Sequence, residues 1–346
     1  MAVTTLSPRE NLILNCLVES YVQNATPVGS RFLAKQFNLG ISPATIRNVM
    51  NDLEEKGYLV QPHVSAGRIP TDKGYRCYVD TLMLVPSLNK NDRRIILDNL
   101  RKVSVDVYDL FEISSKILGK ISSQLGVVLE PRFQQGIFQK MELVSIYDKK
   151  ILAVITIKSG LVKTIMLEVD IELTSDQLHK TSWIINERLT GLTLEEIKNT
   201  IDERLSGVAA NGNNSLIQII VQSSNKLFSF EDQKNLHLGG THNIVSNPEF
   251  SDRQFTLKIL QLIESKKSIL HHFNELTDEN ITISIGEENK EDLFRNCSII
   301  SARYHIGNVS GTLGVVGPTR IQYAKIISLV DYMGKVLTQK LGSRLS

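Results

Sequence analysis

No two cysteines in this chain are spaced to act together. Cys16, Cys77 and Cys297 lie far apart with no CxxC pair, so neither a disulfide framework nor a thiolate zinc site is expected. Cys16 sits in an apolar helix pattern, where a buried free thiol is the ordinary role. Excess charge of one sign is missing too. The 39 Lys and Arg against 37 Asp and Glu give +2, and no basic tail is present. Even residues 1–80 hold eight Lys and Arg against seven Asp and Glu, so any DNA contact must come from local arrangement. No leader of charged then apolar residues opens the chain, and no apolar run has transmembrane length. A soluble, cytoplasmic protein with no membrane partner is expected.

Catalytic and metal chemistry is equally scarce. Gly311, Gly314 and Gly317 fit neither GxGxxG nor a P-loop, and no Lys-Ser/Thr follows them. His271 and His272 are adjacent and so point to different helix faces. His237 and His242 bracket a Gly239-Gly240 turn without a carboxylate or cysteine to complete a ligand set. Gly307 to Gly311 is no nucleophile elbow. The expectation is a protein that is not an enzyme, with no metal and no cofactor.

What is present centres on Ser42 to Thr71. Ser42-Pro43 is a helix start, a hydroxyl N-cap with proline in the first turn. Ile46, Val49, Met50 and Leu53 form an apolar stripe, leaving Thr45, Arg47, Asn48, Asn51 and Asp52 on the other face. Arg and Asn are the side chains that pair with base edges in a major groove. Gly57 is placed as a left-handed C-cap, Tyr58 to Gln61 as a strand, and Pro62 to Gly67 as a hairpin tip carrying Arg68. Before this stretch, Ser7-Pro8-Arg9-Glu10 is a capping box opening a helix to about Gln23 with Ile13, Leu17 and Tyr21 inward. Ser30 to Phe37 is a second helix with Phe32, Leu33 and Phe37 inward, and a Gly40 turn joins it to the third. Helix, turn, helix, then hairpin predicts a winged helix that binds double-stranded DNA. Arg47 and Asn48 are the base readers, with Ala44 and Asn51 on the same face. Ser42 and Thr45 are placed for phosphates at the helix N-terminus, Arg68 is the wing contact, and Lys56 and Lys73 are weaker phosphate candidates.

Pro70-Thr71 opens a further helix that Val85 to Asn89 breaks. Asn91 to about Gln124 reads as one long helix. Its heptad seam of Ile96, Leu100, Val103, Val107, Leu110, Ser114, Ile117 and Ile121 suits either the domain's own core or a subunit seam. Three strands in hairpin succession follow between Phe138 and Val169, then helices at Ser175–Leu189 and Leu194–Leu205. Residues 216–276 differ in composition. They contain an apolar helix, a short strand near His237, and an amphipathic helix from Ser251 to Phe273. Strands resume at Ile281–Gly286, Ser298–Ile306 and Thr312–Val316, and Arg320–Leu341 closes the chain as a helix. Strands on either side of a differently composed block predict one α+β domain interrupted by an insert.

The run Ser42-Pro43-Ala44-Thr45-Ile46-Arg47-Asn48 resembles the HrcA family of bacterial heat-inducible transcription repressors. So do Ser65-Ala66-Gly67-Arg68-Ile69-Pro70-Thr71-Asp72-Lys73-Gly74-Tyr75-Arg76, Gly239-Gly240-Thr241 and Pro248-Glu249-Phe250-Ser251-Asp252. Ile285-Gly286-Glu287-Glu288-Asn289 and Gly311 to Arg320 complete the set. Ile321 stands where the family usually has Met. The resemblance implies a winged helix over 1–85, a linker at 86–90, and a GAF-like domain split into 91–206 and 281–346. An inserted dimerisation domain would occupy 207–280, with Phe255, Ile259, Leu262 and Ile263 along one side of its helix. It further implies a homodimer on an inverted-repeat operator called CIRCE, negative regulation of chaperone operons, and dependence on the GroEL chaperonin that heat stress withdraws. Two alternatives stand beside it. One is a winged-helix regulator gated by a small ligand in the GAF-like domain. The other is an interaction module that does not bind DNA, such as a chaperone cofactor.

Overall fold

The capping box of the first helix forms as its sequence requires. Ser7 accepts the Glu10 N–H at 3.3 Å and Glu10 accepts the Ser7 N–H at 2.8 Å, opening α1 (Pro8–Asn24). The computed structural model describes residues 6–102, 107–147, 149–170, 173–209, 215–228, 236–245, 253–274 and 281–342. The chain is a mixed α+β protein that divides into two compact units, 1–128 with 237–303 and 313–334, and 129–236 with 304–312 and 335–346.

In the first unit, α2 (Ser30–Phe37) and α3 (Pro43–Glu55) follow α1, then β1 (Leu59–Val60) and β2 (Ile69–Pro70). The two strands pair antiparallel, Leu59 with Pro70 and Val60 with Ile69. Ile13, Leu17, Leu33, Ile46 and Leu53 are fully buried and form the small core here. Phe32, expected inside, is instead 45% exposed and Phe37 is half-buried, while Ser30 and Leu33 fill the short helix's inner face. Gly57 takes the left-handed conformation expected of it, at φ +77°. A short helix α4 (Asp72–Cys77) then continues into a wider turn at Tyr78–Leu82.

The single long helix expected over 91–124 is not found. It is two helices packed on each other, α5 (Lys90–Arg101) and α6 (Val107–Ser122), with 103–106, and so Val103, outside the described residues. The heptad seam is spent inside the chain. Ile96, Leu100, Leu110 and Ser114 are fully buried, which leaves no coiled-coil seam for a partner. Sequence reading passed over β3 (Leu125–Leu129), whose five residues are all buried, because a strand covered on both faces has no alternation to detect.

The second unit's own sheet is β4 (Phe138–Tyr147), β5 (Lys150–Ile157) and β6 (Val162–Glu168), the three hairpin-linked strands expected. Around it come α7 (Ser175–Leu189), α8 (Leu194–Ala209), α9 (Ser215–Gln222) and α10 (Ser224–Phe228). Met141, Leu143, Ile151, Ala153, Ile155 and Leu167 form its buried face. Asn186 of α7 fastens the β4 edge, accepting the Met141 N–H at 2.7 Å and donating to the Met141 carbonyl at 3.1 Å.

The chain then returns through β7 (Leu236–Gly239), α11 (Thr241–Val245), α12 (Arg253–Glu264) and α13 (Lys266–Asn274), so the expected Ser251–Phe273 helix is broken at Ser265. The motif at Pro248 to Asp252 lies outside the described residues. Last come β8 (Ile281–Ile285), β9 (Cys297–Ile306), β10 (Val309–Pro318) and α14 (Tyr323–Gly342). The main sheet has the order β7-β3-β10-β9-β8, so the strands at 125–129 and 236–239 are neighbours. The segment between those strands interrupts the sheet, whereas the expected insert began at 207 and ran to 280. Of that expected block, 207–236 belong with the three-stranded unit and 237–280 with the N-terminal one. The expected linker at 86–90 is no free tether either. Leu88 is buried, and Ser328 donates to the Pro86 carbonyl at 2.5 Å.

Candidate nucleic-acid interface

The outer face of α3 is built from the cap upward. Ser42 Oγ accepts the Thr45 N–H at 3.1 Å and meets the Thr45 hydroxyl at 2.9 Å. Both hydroxyls expected at phosphates therefore already have a partner in each other. Ser42, Ala44, Arg47, Asn48 and Asn51 are all exposed, while Ile46, Val49, Met50 and Leu53 turn inward. The four of these within α3, Ala44, Arg47, Asn48 and Asn51, line one helical face, as a groove reader needs.

Beside that face, the hairpin closes a cleft of 430 Å³ lined by Arg47, Asn51, Gln61, Ser65, Gly67 and Arg68 among others. Arg68 does not project from the wing tip as expected. Its Nε lies 2.7 Å from Glu54 Oε2 and its Nη2 donates to Asn51 Oδ1 at 3.0 Å. Asn51, an exposed residue, thus has its side-chain carbonyl occupied. Sequence reading missed two residues of this arrangement. Glu54 Oε1 accepts the Gln61 N–H at 3.1 Å, and Gln61 Nε2 donates to the carbonyls of Val64 at 2.9 Å and Ala66 at 3.0 Å. The i, i+3 offset of Asn51 and Glu54 was readable as a shared helix face, whereas Gln61 gave no signal. The tip itself carries Val64, 99% exposed.

The two weaker phosphate candidates fasten the fold. Lys56 Nζ pairs with Glu10 at 2.6 Å, and that hydrogen bond, with the Ser7 N–H, holds the Glu10 carboxyl below its usual range. Lys73 donates to the Lys56 carbonyl at 2.7 Å and lies 4.3 Å over the Tyr58 ring.

The side chains proposed for dimer contact fare differently. Leu262 is fully buried in its own chain and has no surface to offer, and Ile263 is half-buried. The side chains of Phe255 and Ile259 lie outside the described residues. Among the described side chains of α12, Leu257 and Leu260 are the exposed apolar groups. In the second unit the sheet face opposite α7 exposes Val144, Val162 and Met166. Register places Val144 opposite Leu152 and Leu152 opposite Met166, so they form one apolar row across three strands.

A cavity of 520 Å³ within the first unit is lined by Glu19, Tyr78, Leu88, Tyr323, Lys325 and Ser328 among others. Among the described residues no cluster of His, Cys, Asp or Glu is placed to hold a metal ion. No helix there is long and apolar enough to cross a membrane.

Comparison with known proteins adds the remaining observations. The family described as HrcA protein C terminal domain matches residues 108–327. The heat-inducible transcription repressor HrcA of Prosthecochloris aestuarii is 39% identical over 98% of this chain and 98% of its own length. That of Chlorobium phaeobacteroides strain BS1 is 38% identical over 97% and 98%. A crystal structure of a hypothetical protein has a TM-score of 0.62 at 21% identity, covering 99% of this chain and 100% of that one, a likeness of fold. The chain belongs to the HrcA family of heat-inducible transcription repressors.

Proposed function

We propose that this repressor silences chaperone operons by binding as a homodimer to an inverted-repeat operator of the CIRCE type. The GroEL chaperonin keeps it competent, and heat stress withdraws that support. The observation that carries the reading is the outer face of α3, where Ala44, Arg47, Asn48 and Asn51 stand exposed beside the hairpin cleft. In this reading residues 8–82 are a winged helix whose α3 enters the major groove. Arg47 and Asn48 read bases. Asn51, held by Arg68, presents donors to base acceptors such as purine N7. The five-stranded sheet is the GAF-like domain, and the three-stranded unit is the inserted dimerisation domain. The open Val144–Leu152–Met166 row is the surface that meets a second copy. A two-fold operator needs a two-fold protein; the heptad seam is buried among the described residues, and this exposed row offers an apolar face for the task.

Footprinting on a chaperonin promoter, with and without purified GroEL, tests the whole scheme. Two symmetric half-sites should be protected, more strongly with chaperonin present. No protection of any inverted repeat would sink the DNA-reading role.

A second reading, gating by a small ligand, is favoured by the 520 Å³ cavity, whose lining combines aromatic and charged groups. A metabolite that raises the melting temperature and changes operator affinity together would establish it.

A further inference from the structure

The long motif that begins in the hairpin, Ser65 to Arg76, continues past β2 into α4. In its last part Lys73 holds the Lys56 carbonyl and Arg76 Nη1 donates to Asp80 Oδ1 at 3.1 Å, but Asp72, Tyr75 and Arg76 also reach the chain more than 200 residues later. Arg76 Nε donates to Glu288 Oε1 at 2.8 Å and Nη2 to Glu288 Oε2 at 2.5 Å, a two-pronged pair. The same Nη2 donates to the Ile283 carbonyl at 2.8 Å, in β8 of the main sheet. Asp72 Oδ2 accepts the Glu287 N–H at 3.0 Å. Gly286 sits at φ +56°, and a Cβ there would lie 1.8 Å from that carboxylate oxygen, so only glycine lets the loop approach. Tyr75, fully buried, meets the Tyr323 ring at 5.7 Å. Arg320 reaches back to the Val22 carbonyl at the end of α1, 2.8 Å away. The loop that receives these contacts is itself pinned. Buried Asn289 faces the carbonyls of Gly286, Phe294 and Cys297 at 2.9, 3.0 and 2.9 Å.

Such a set is more than a tether requires. A flexible linker would leave the reading head free to sample spacings, whereas a bidentate pair, a backbone cap and an aromatic contact fix it in one pose. We infer that Asp72, Arg76 and Glu288 are positioning residues, a latch that locks the α3 reading head to the main sheet and so sets which half-site spacing the dimer accepts. The inference rests on the DNA-reading function proposed above, but the latch can be measured without DNA.

The experiment uses the full chain with Cys77→Ser and spin labels at two exposed positions, Glu55→Cys on α3 and Asn296→Cys before β9. The parent, mixed with excess unlabelled chain so that a dimer carries one labelled copy, should give one narrow distance distribution. Glu288→Gln keeps an acceptor for the Ile285 N–H, which Glu288 Oε2 binds at 2.9 Å, yet loses the charged two-pronged pair. It should broaden the distribution while the melting curve stays cooperative. If Glu288→Gln fails to fold, Arg76→Lys, which keeps the charge and loses the fork, replaces it. An unchanged width in the folded variant overturns the latch.

The second arm measures affinity for inverted repeats whose spacer is lengthened or shortened by one or two base pairs. The variant should lose roughly tenfold on the preferred spacer and little on a single half-site, flattening the spacing preference, since pre-set geometry supplies effective concentration. Equal loss on every DNA would point to a damaged head and overturn the positioning role. A parent that binds no inverted repeat would refute the DNA-reading function, and the distance widths would still decide the latch.

Discussion

Gly67 lacks a side chain for a reason different from the one its place in a hairpin implies. Its φ is not positive. A Cβ there would lie 2.4 Å from the Val28 carbonyl carbon and oxygen, beside the paired Val28–Arg68 bridge whose two hydrogen bonds are each 2.9 Å. A left-handed glycine would tolerate Ala far better than Val, whereas a close backbone approach excludes both. Gly67→Ala and Gly67→Val are therefore expected to destabilise alike, by about 1–3 kcal/mol, as overpacking does. Thermal denaturation that found Ala harmless would contradict this. Arg47 and Arg68 should part company in binding assays. Arg47 is exposed and faces solvent, so Arg47→Ala should cost about 1–3 kcal/mol on the operator and much less on scrambled DNA. Arg68 is already paired with Glu54, so Arg68→Ala should change base preference at the position Asn51 reads and leave the salt slope nearly unaltered. A slope smaller by about one unit would return Arg68 to the phosphate backbone.

Elements with one wet face were legible before any coordinates, and those with none were not. Ile46, Val49, Met50 and Leu53 announced α3 because their partners on the other face are polar, and Ser7 and Ser42 announced the helix starts because free N–H groups need acceptors. β3 escaped because all five of its residues are buried, and the Asn91–Gln124 heptads left core and subunit seam both open because a core helix pair and a coiled coil share a period. In the candidate site, the exposure of Arg47, Asn48 and Asn51 on one face of α3 followed from residue type and helical spacing. The Glu54–Gln61–Arg68 arrangement did not, since it depends on how the hairpin folds over the helix. The latch contacts lie beyond sequence reading for the same reason: nothing local ties Arg76 to Glu288. At this scale Asp72 offers a test. Burial raises its carboxyl above the usual range, with the Glu287 N–H offsetting part of the effect. A raised folded value means its contribution is present at low pH and declines as pH rises through that value. Asp72→Asn keeps an oxygen for Glu287 without the charge, so its stability at neutral pH should equal or exceed the parent's, with the advantage shrinking in acid. A urea midpoint lower than the parent's at pH 7 would show that the charge itself is needed.

For the whole molecule the question is where the second copy of the proposed homodimer would attach. Met166→Asp places a charge in the exposed row of the three-stranded sheet, where it costs the monomer little. Sedimentation should then report monomers, and operator affinity should fall by roughly 10²–10⁴ as linked half-sites become separate. Leu262→Asp, in contrast, buries a carboxylate in the chain's own core and should unfold its surroundings, visible by circular dichroism. A Met166→Asp protein that stays dimeric would move the interface, with exposed Trp183 on α7 the next position to probe. The strand order carries one more consequence. A Cβ on Gly240, just after β7, would lie 2.7 Å from the Gln124 carbonyl, just before β3, so these neighbouring strands run in opposite directions. Leu129 and Leu236 then fall at the same end of the pair. The chain leaves the sheet and re-enters it at almost one point, which is the anatomy of a cassette. On the proposed function, a gene in which a short turn replaces residues 130–235 should still encode a foldable reader of single half-sites, and the same doorway would let evolution exchange the proposed pairing module for another while the proposed DNA-reading end stays unchanged.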